Sequence, residues 1–304
     1  MSDYQLFGWR VQSALPLPEL LPWRGDARAP DLIVEMGAVP PPGQDLPSFS
    51  PAIQIGSTGV RVAIPAVATY WVEAGRRVVI EPVLPEDAPD IRVFLLGTVL
   101  AILCFQRGVL PLHASAIDVG GRVLLLSGVS GAGKSTLAAA FSARGYRLLS
   151  DDLCALEVRE GQPLRILPAF PRVKLWRDSA EQLQVAFDEL ERSREELEKY
   201  HVPLAEALFQ ANALPPAQIV LLRTERAPER SPPRRLIGVD ALRRHDLVHR
   251  WRLGMALGYQ ALIFKAMARL IDSVPVMEVT RSDDLADLSA LVDSVLALVA
   301  VQSE

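Results

Sequence analysis

The chain has 304 residues, half of them hydrophobic and 22% charged, which is the profile of a globular protein rather than a disordered or fibrous one. A net charge of −4 gives no basic footprint for nucleic acid. Two cysteines, Cys104 and Cys154, are too few for a disulfide framework or a cysteine-based zinc site. Met1-Ser2-Asp3-Tyr4 lacks the basic-then-apolar profile of a secretion signal, so a cytoplasmic location is expected. Residues 1–90 hold many prolines, including Val39-Pro40-Pro41-Pro42, and alternating runs such as Val60-Arg61-Val62-Ala63-Ile64 and Arg77-Val78-Val79-Ile80. They predict a small, mainly β N-terminal region, with 91–304 as the rest of the fold. Val93 to Phe105, flanked by Arg92 and Arg107, is too short for a bilayer span and predicts a buried helix capped by Asp90, with no membrane partner.

From His113 the pattern becomes strand, hairpin, strand, helix, strand. His113–Val119 and Arg122–Ser127 are joined by Gly120-Gly121, a two-residue hairpin signal. That register sets Val119 against Arg122 and His113 against Gly128, making His113 a candidate polar group beside a phosphate or a neighbouring acid. Residues 128–136 read Gly-Val-Ser-Gly-Ala-Gly-Lys-Ser-Thr, between an apolar strand and an Ala-rich stretch. This is the phosphate-binding loop G-x-x-x-x-G-K-[ST] in its expected setting, and it predicts a nucleotide with Mg²⁺. Gly128, Ser130, Gly131, Ala132, Gly133 and Thr136 would line the phosphates, Lys134 would reach the β/γ end, and the Ser135 hydroxyl would take a place on the metal. The helix should stop at Gly145, and the strand Tyr146–Ser150 should deliver Asp151-Asp152 to the same edge as the loop. One carboxylate can serve the metal and the other an attacking hydroxyl.

Beyond the acids, Leu153–Ile166 predicts a strand pair turning near Glu160-Gly161. Arg172 and Lys174, on one face of an extended segment, are candidate contacts for phosphates or an acidic peptide end. Asp178–Tyr200, with Leu183, Phe187, Leu190 and Leu197 at helical spacing, predicts a solvated helix. Gln218–Leu222 is a buried-type strand and Arg223–Arg235 a loop. His245 and His249, without a third ligand in reach, predict a surface helix. Helices Leu253–Ile271 and Leu285–Val301 should flank the strand Val274–Val279.

Leu112-His113-Ala114-Ser115-Ala116-Ile117-Asp118, the loop Gly128–Thr136, and Arg144-Gly145-Tyr146-Arg147-Leu148-Leu149-Ser150-Asp151-Asp152 resemble the kinase domain of the HPr serine kinase/phosphorylase family. The resemblance covers roughly residues 108–155. It implies an α/β fold with a P-loop kinase core of the HPr kinase/phosphoenolpyruvate carboxykinase-like type, completed by the β N-terminal region and C-terminal helices. It further implies ATP and Mg²⁺ as cofactors, Asp151 as general base on a substrate serine, Asp152 and Ser135 at the metal, and His113 supporting Asp151. HPr kinases form hexamers, so a homo-oligomer is implied as well. The family's later acidic-Arg-Gly-x-Gly signature is missing. Leu15-Pro16-Leu17-Pro18-Glu19-Leu20, Pro171-Arg172-Val173-Lys174-Leu175-Trp176 and Glu198-Lys199-Tyr200-His201-Val202-Pro203-Leu204 resemble divergent members found with peptide-modification systems, some of them lasso-peptide precursor kinases. The expectation is an ATP-dependent serine kinase acting on a peptide or small protein. Its alternatives are a kinase of a small hydroxylated metabolite and a non-catalytic nucleotide-binding regulatory module.

Overall fold

The computed structural model describes residues 1–42, 48–186, 190–194, 197–225, 232–282 and 288–300. Among them the first ninety build a nine-stranded sheet from β1 (Ser2–Leu6), β2 (Trp9–Ser13), β3 (Leu21–Pro22), β4 (Leu32–Met36), β5 (Ser48–Ser50), β6 (Ile53–Ile55), β7 (Val60–Ile64), β8 (Ala68–Glu73) and β9 (Arg77–Pro82). The alternation read in the sequence is its pleat: Val60 and Val62 point into the core while Arg61 and Ala63 are less buried. A helical run follows, made of α1 (Pro89–Phe94), a π-helical turn (Leu95–Val99) and α2 (Leu100–Gln106). Its 18 residues, of mean hydropathy 1.6, are long and apolar enough to cross a membrane, yet 67% of the run is buried inside the protein. Ile91, Leu95, Val99, Ile102 and Leu103 share one apolar cluster with the sheet residues Val62, Tyr70 and Ile80. Asp90 does not cap this helix. Ala88 holds that position and Pro89 fills the first turn, where its missing N–H costs nothing, so the boundary falls two residues earlier than the acid implied.

A second sheet of six strands has the order β13-β11-β12-β19-β21-β20, from β11 (Ala114–Val119), β12 (Arg122–Ser127), β13 (Arg147–Ser150), β19 (Pro216–Glu225), β20 (Arg234–Leu236) and β21 (Val276–Ser282). The hairpin register is as predicted, Val119 facing Arg122 and Ala114 facing Ser127. Gly120 and Gly121 both take positive φ, +62° and +81°, which a tight two-residue turn matching the strand twist requires. Both faces of the sheet are covered. Val123 and Leu125 join an apolar cluster with Ala266, Met267 and Leu270 of α7 (Gln260–Ser273), while Leu124 and Leu126 join one with Leu137 and Phe141 of α3 (Lys134–Ala143) and Val292 and Val295 of α8 (Leu288–Ala300). That is why β12 reads as an unbroken apolar run.

Two small sheets complete the described fold, β10-β14-β15 from β10 (Leu110–Leu112), β14 (Cys154–Glu157) and β15 (Arg165–Leu167), and β16-β18-β17 from β16 (Arg172–Trp176), β17 (Arg192–Arg194) and β18 (Leu197–Pro203). The latter overturns the predicted helix over 178–200. Among the described residues of that stretch only α4 (Arg177–Gln182) is helical; Gln184 at φ +55° and the bond from the Val185 N–H to the Ala180 carbonyl close it. Residues 199–203 then pair one-to-one with 172–176, so the ladder offered by β16 outweighed apolar spacing that suited a helix. Phe187 lies outside the described residues. Arg223 to Glu225 extend β19 rather than opening a loop, and residues 226–231 lie outside the described residues. Leu253–Ile271 is broken at Gly258 (φ +87°) into α6 (Trp251–Ala256) and α7, and the predicted ends of the last helix, Leu285 and Val301, are also outside the described residues.

Candidate active site

The phosphate-loop segment leaves the end of β12 and enters α3, whose first turn has no side-chain cap, so its N–H groups are left for a ligand. Gly131 and Gly133 sit at φ +85° and +87°, conformations that turn backbone N–H groups inward and that a side chain would strain. At Gly133 an added Cβ would also lie 2.6 Å from the Arg281 guanidinium, so that side chain, which donates to the Ala132 carbonyl at 3.0 Å, would have to shift. The Lys134 ammonium folds back onto its own loop, donating to the carbonyls of Gly128 (2.9 Å) and Val129 (3.2 Å). Burial lowers its pKa from the usual lysine value, against the pull of Asp152 and Asp151. At the far end, a left-handed Gly145 (φ +86°) ends α3. The Tyr146 N–H returns to the Phe141 carbonyl, the Gly145 N–H to that of Ser142, and the Phe141 and Tyr146 rings meet edge to face.

β13 runs parallel to β12 with antiparallel β11 between them, so Asp151 and Asp152 emerge at the loop's edge. The two acids then diverge. Asp151 is buried, 8% exposed, and every oxygen is used: Oδ1 accepts from Ser115 Oγ (2.6 Å) and Ser135 Oγ (2.9 Å), and Oδ2 from the Lys174 N–H (2.9 Å). Asp152 takes φ +71°, and a bond from the Leu153 N–H to the Asp151 carbonyl closes a tight turn across it. That strained turn re-aims its side chain into the cavity, where Oδ2 pairs with the Lys174 ammonium at 2.9 Å. Burial pushes the Asp152 carboxyl up, but Lys174, His249 and His113 more than offset it and hold it well below the usual carboxylate range.

His113 stands where the chain passes from β10 into β11, changing sheets. Its N–H donates to the Leu247 carbonyl, and its Nδ1 lies 3.1 Å from the Asp152 carbonyl oxygen and 3.5 Å from Asp152 Oδ1. It therefore meets Asp152, not Asp151. Burial, then the Lys134 charge, lowers its pKa below the ordinary histidine value. His249 is a residue the sequence reading placed on a surface helix. A bridge between Leu112 and Val248 and the bond from the His249 N–H to the Pro111 carbonyl instead bring it beside His113, with the two Nδ1 atoms 3.4 Å apart. Burial takes its pKa down to about 3, so it is a neutral ring at this site.

A cavity of about 210 Å³ joins these groups. His113, Ser130, Gly131, Gly133, Lys134, Ser135, Thr136, Asp152 and Lys174 line it, together with Trp176, Asp178, Ser179, Lys199 and Arg281, none of which was among the predicted site residues. Gly128 and Ala132 lie behind it as the loop's first turn and its Arg281-bonded carbonyl. Arg172 is elsewhere. It is 6% exposed and bonded to Glu19 (3.3 Å) and to His201 Nδ1 (3.1 Å), and it does not line this cavity. Ser115 reveals itself only through its bond to Asp151, and Ser179 through its hydroxyl, 2.8 Å from that of Thr136. The donor set fits a nucleotide with a hard divalent cation: uncapped helix N–H groups and a lysine for phosphate, and the oxygens of Ser135 and Asp152 for Mg²⁺, with Asp151 bonded behind Ser135.

No family model matches the chain, and no curated protein matches it. Among solved structures it is similar to the HPr(Ser) kinase/phosphatase from Coxiella burnetii, with 14% identity over 64% of this chain and 97% of that one and a TM-score of 0.34. At that level the functional reading rests on the site's own geometry.

Proposed function

We propose that this protein is an ATP-dependent kinase that transfers a phosphoryl group to a serine hydroxyl on a peptide or small protein, a ribosomal-peptide precursor of the lasso type being the first acceptor to try. One observation carries the reading: a loop and helix N-terminus suited to phosphates share one cavity with the Asp152 carboxylate, while its neighbour Asp151 is buried behind Ser135. Mg²⁺ taken by the Ser135 hydroxyl, which Asp151 holds in place at 2.9 Å, would neutralise charge on the phosphates. Lys134 would exchange its loop carbonyls for phosphate oxygens. Asp152, anionic at neutral pH and open to the cavity, orients the incoming hydroxyl and takes its proton as the new P–O bond forms and the bond from the γ-phosphorus to the β,γ-bridging oxygen breaks, releasing ADP. Its partner Lys174 is positioned to move toward the phosphates, which frees the carboxylate. In this reading Asp152 serves the hydroxyl, whereas the family resemblance put Asp151 there and Asp152 at the metal.

The test is mass spectrometry after incubation with Mg-ATP and the short peptides encoded beside the gene, with Asp152→Asn as matched control. A phosphoserine formed by the wild type and absent from the control supports the assignment. Phosphorylated metabolite and unmodified peptide would point to the small-molecule kinase, and ATP binding without any transfer to the regulatory module.

A further inference from the structure

We propose that Trp176 is the platform on which the nucleotide's base stacks, a role that rests on the nucleotide reading above. Lys174 and Trp176 are two residues apart on β16 and so lie on the same face, about 7 Å apart along the strand. Lys174 marks the acid end of the cavity through Asp152. A second pair of contacts gives the same polarity. On α3, Ser135 reaches Asp151 at the acid end, while its neighbour Thr136 reaches Ser179, three residues beyond Trp176. Transfer takes place at the acids, so the terminal phosphate lies there and the nucleoside extends toward Trp176 and Ser179.

The indole suits that end. It is 42% exposed although it lines a cavity, and it faces the Lys199 ammonium 5.5 Å from its ring centroid, the pairing that the β16–β18 register imposes. An open aromatic surface beside a cation is the combination that stacks a flat, electron-rich heterocycle next to its phosphates. Stacking on a ring reads no base edge, so purine triphosphates should bind alike.

The experiment compares Mg-ATP with inorganic tripolyphosphate, which has the charge and no base, by calorimetry on the wild type, Trp176→Ala and Trp176→Phe. Loss of the stacking surface is expected to weaken ATP by about tenfold or more while tripolyphosphate stays within about twofold, and Phe should keep most of the ATP affinity. GTP should follow ATP. Equal losses for ATP and tripolyphosphate in Trp176→Ala would mean the ring merely supports the loop and would overturn the proposal, as would unchanged ATP binding. A wild type that binds neither ligand removes the nucleotide reading itself, and the role of Trp176 with it.

Discussion

Asparagine substitutions at the two adjacent acids separate a buried scaffold from a working group. Asp151 accepts three hydrogen bonds, from Ser115, Ser135 and the Lys174 backbone, at 8% exposure. An amide at that place can still be satisfied, because its NH₂ can donate to the two hydroxyls while its oxygen accepts from the Lys174 N–H. What is lost is the strength that the carboxylate charge adds, about 1 kcal/mol for each bond, so Asp151→Asn should cost about 3 kcal/mol. For a chain of this length that lowers the melting temperature by roughly 6 °C. Asp152 has a side chain 30% exposed and one close ion pair, with the half-buried Lys174, so Asp152→Asn should cost about 1–2 kcal/mol, less than Asp151→Asn. Activity should show a different ordering. Asp152→Asn is expected to bind Mg-ATP normally and to lose roughly 10²–10⁴-fold in phosphoryl transfer. Urea unfolding, calorimetric ATP titration and a transfer assay on the same preparations read all three quantities. Equal destabilisation by the two variants, or an Asp152→Asn enzyme with undiminished transfer, would refute the assignment.

Other outcomes follow from the same contacts. Lys134→Ala should weaken Mg-ATP binding by roughly ten- to a hundredfold, the worth of a charge-assisted phosphate contact, and calorimetry that shows no loss would contradict the loop's role. Gly145→Ala forces a side chain into φ +86° at the end of α3 and should cost about 1–2 kcal/mol without touching nucleotide affinity, as read by thermal melting beside the same titration. His201 and His249 are held neutral, at about 2 and about 3, by burial. Below about pH 6.5 the unfolded chain therefore takes up protons that the folded chain refuses, and stability falls as pH drops toward 3, by about 1.4 kcal/mol per unit for each ring. Unfolding measured at pH 7, 6 and 5 should show this slope, and His201→Asn should flatten it by one proton's worth; an unchanged slope would mean that the ring is not sequestered.

Local chemistry was legible in the sequence where one short segment decides it. Two glycines between β-forming runs set a register that holds over all six pairs from Ala114–Ser127 to Val119–Arg122. The residue types of 128–136 and the stop at Gly145 are likewise dictated within a turn or two. The different surroundings of Asp151 and Asp152 were not legible, because they depend on a left-handed φ at Asp152 and on Ser115 arriving from the neighbouring strand. His249 reaches His113 across 136 residues through a two-residue bridge that no periodicity announces. The stretch after Trp176 was misread for a related reason. Its apolar spacing fits a helix, but the unpaired edge of β16 was invisible until the fold placed it, and β18 fills that edge.

The N-terminal sheet bears on this site through one buried ion cluster. Glu19, in the Leu-Pro-Glu-Leu segment, accepts from Arg92 at 2.9 Å and from Arg172 at 3.3 Å, both arginine side chains being almost fully buried. Glu191 meets Arg92 and lies 3.4 Å from His201 Nδ1. Two acids thus balance two guanidiniums, with His201 neutral between them. Glu19→Gln leaves one buried positive charge in excess, and breaking such a pair from one side costs about 3–5 kcal/mol, whereas removing both members can be nearly neutral. Glu19→Gln should therefore be strongly destabilising, and adding Arg172→Met should recover much of the loss in urea unfolding. Arg172 opens the strand whose third residue, Lys174, supplies an N–H to Asp151 and an ammonium to Asp152. The single variant should accordingly impair transfer as well as stability. If the double variant is restored in stability yet still impaired in transfer, the cluster positions Lys174. If transfer returns in full with stability, the cluster only holds the fold together.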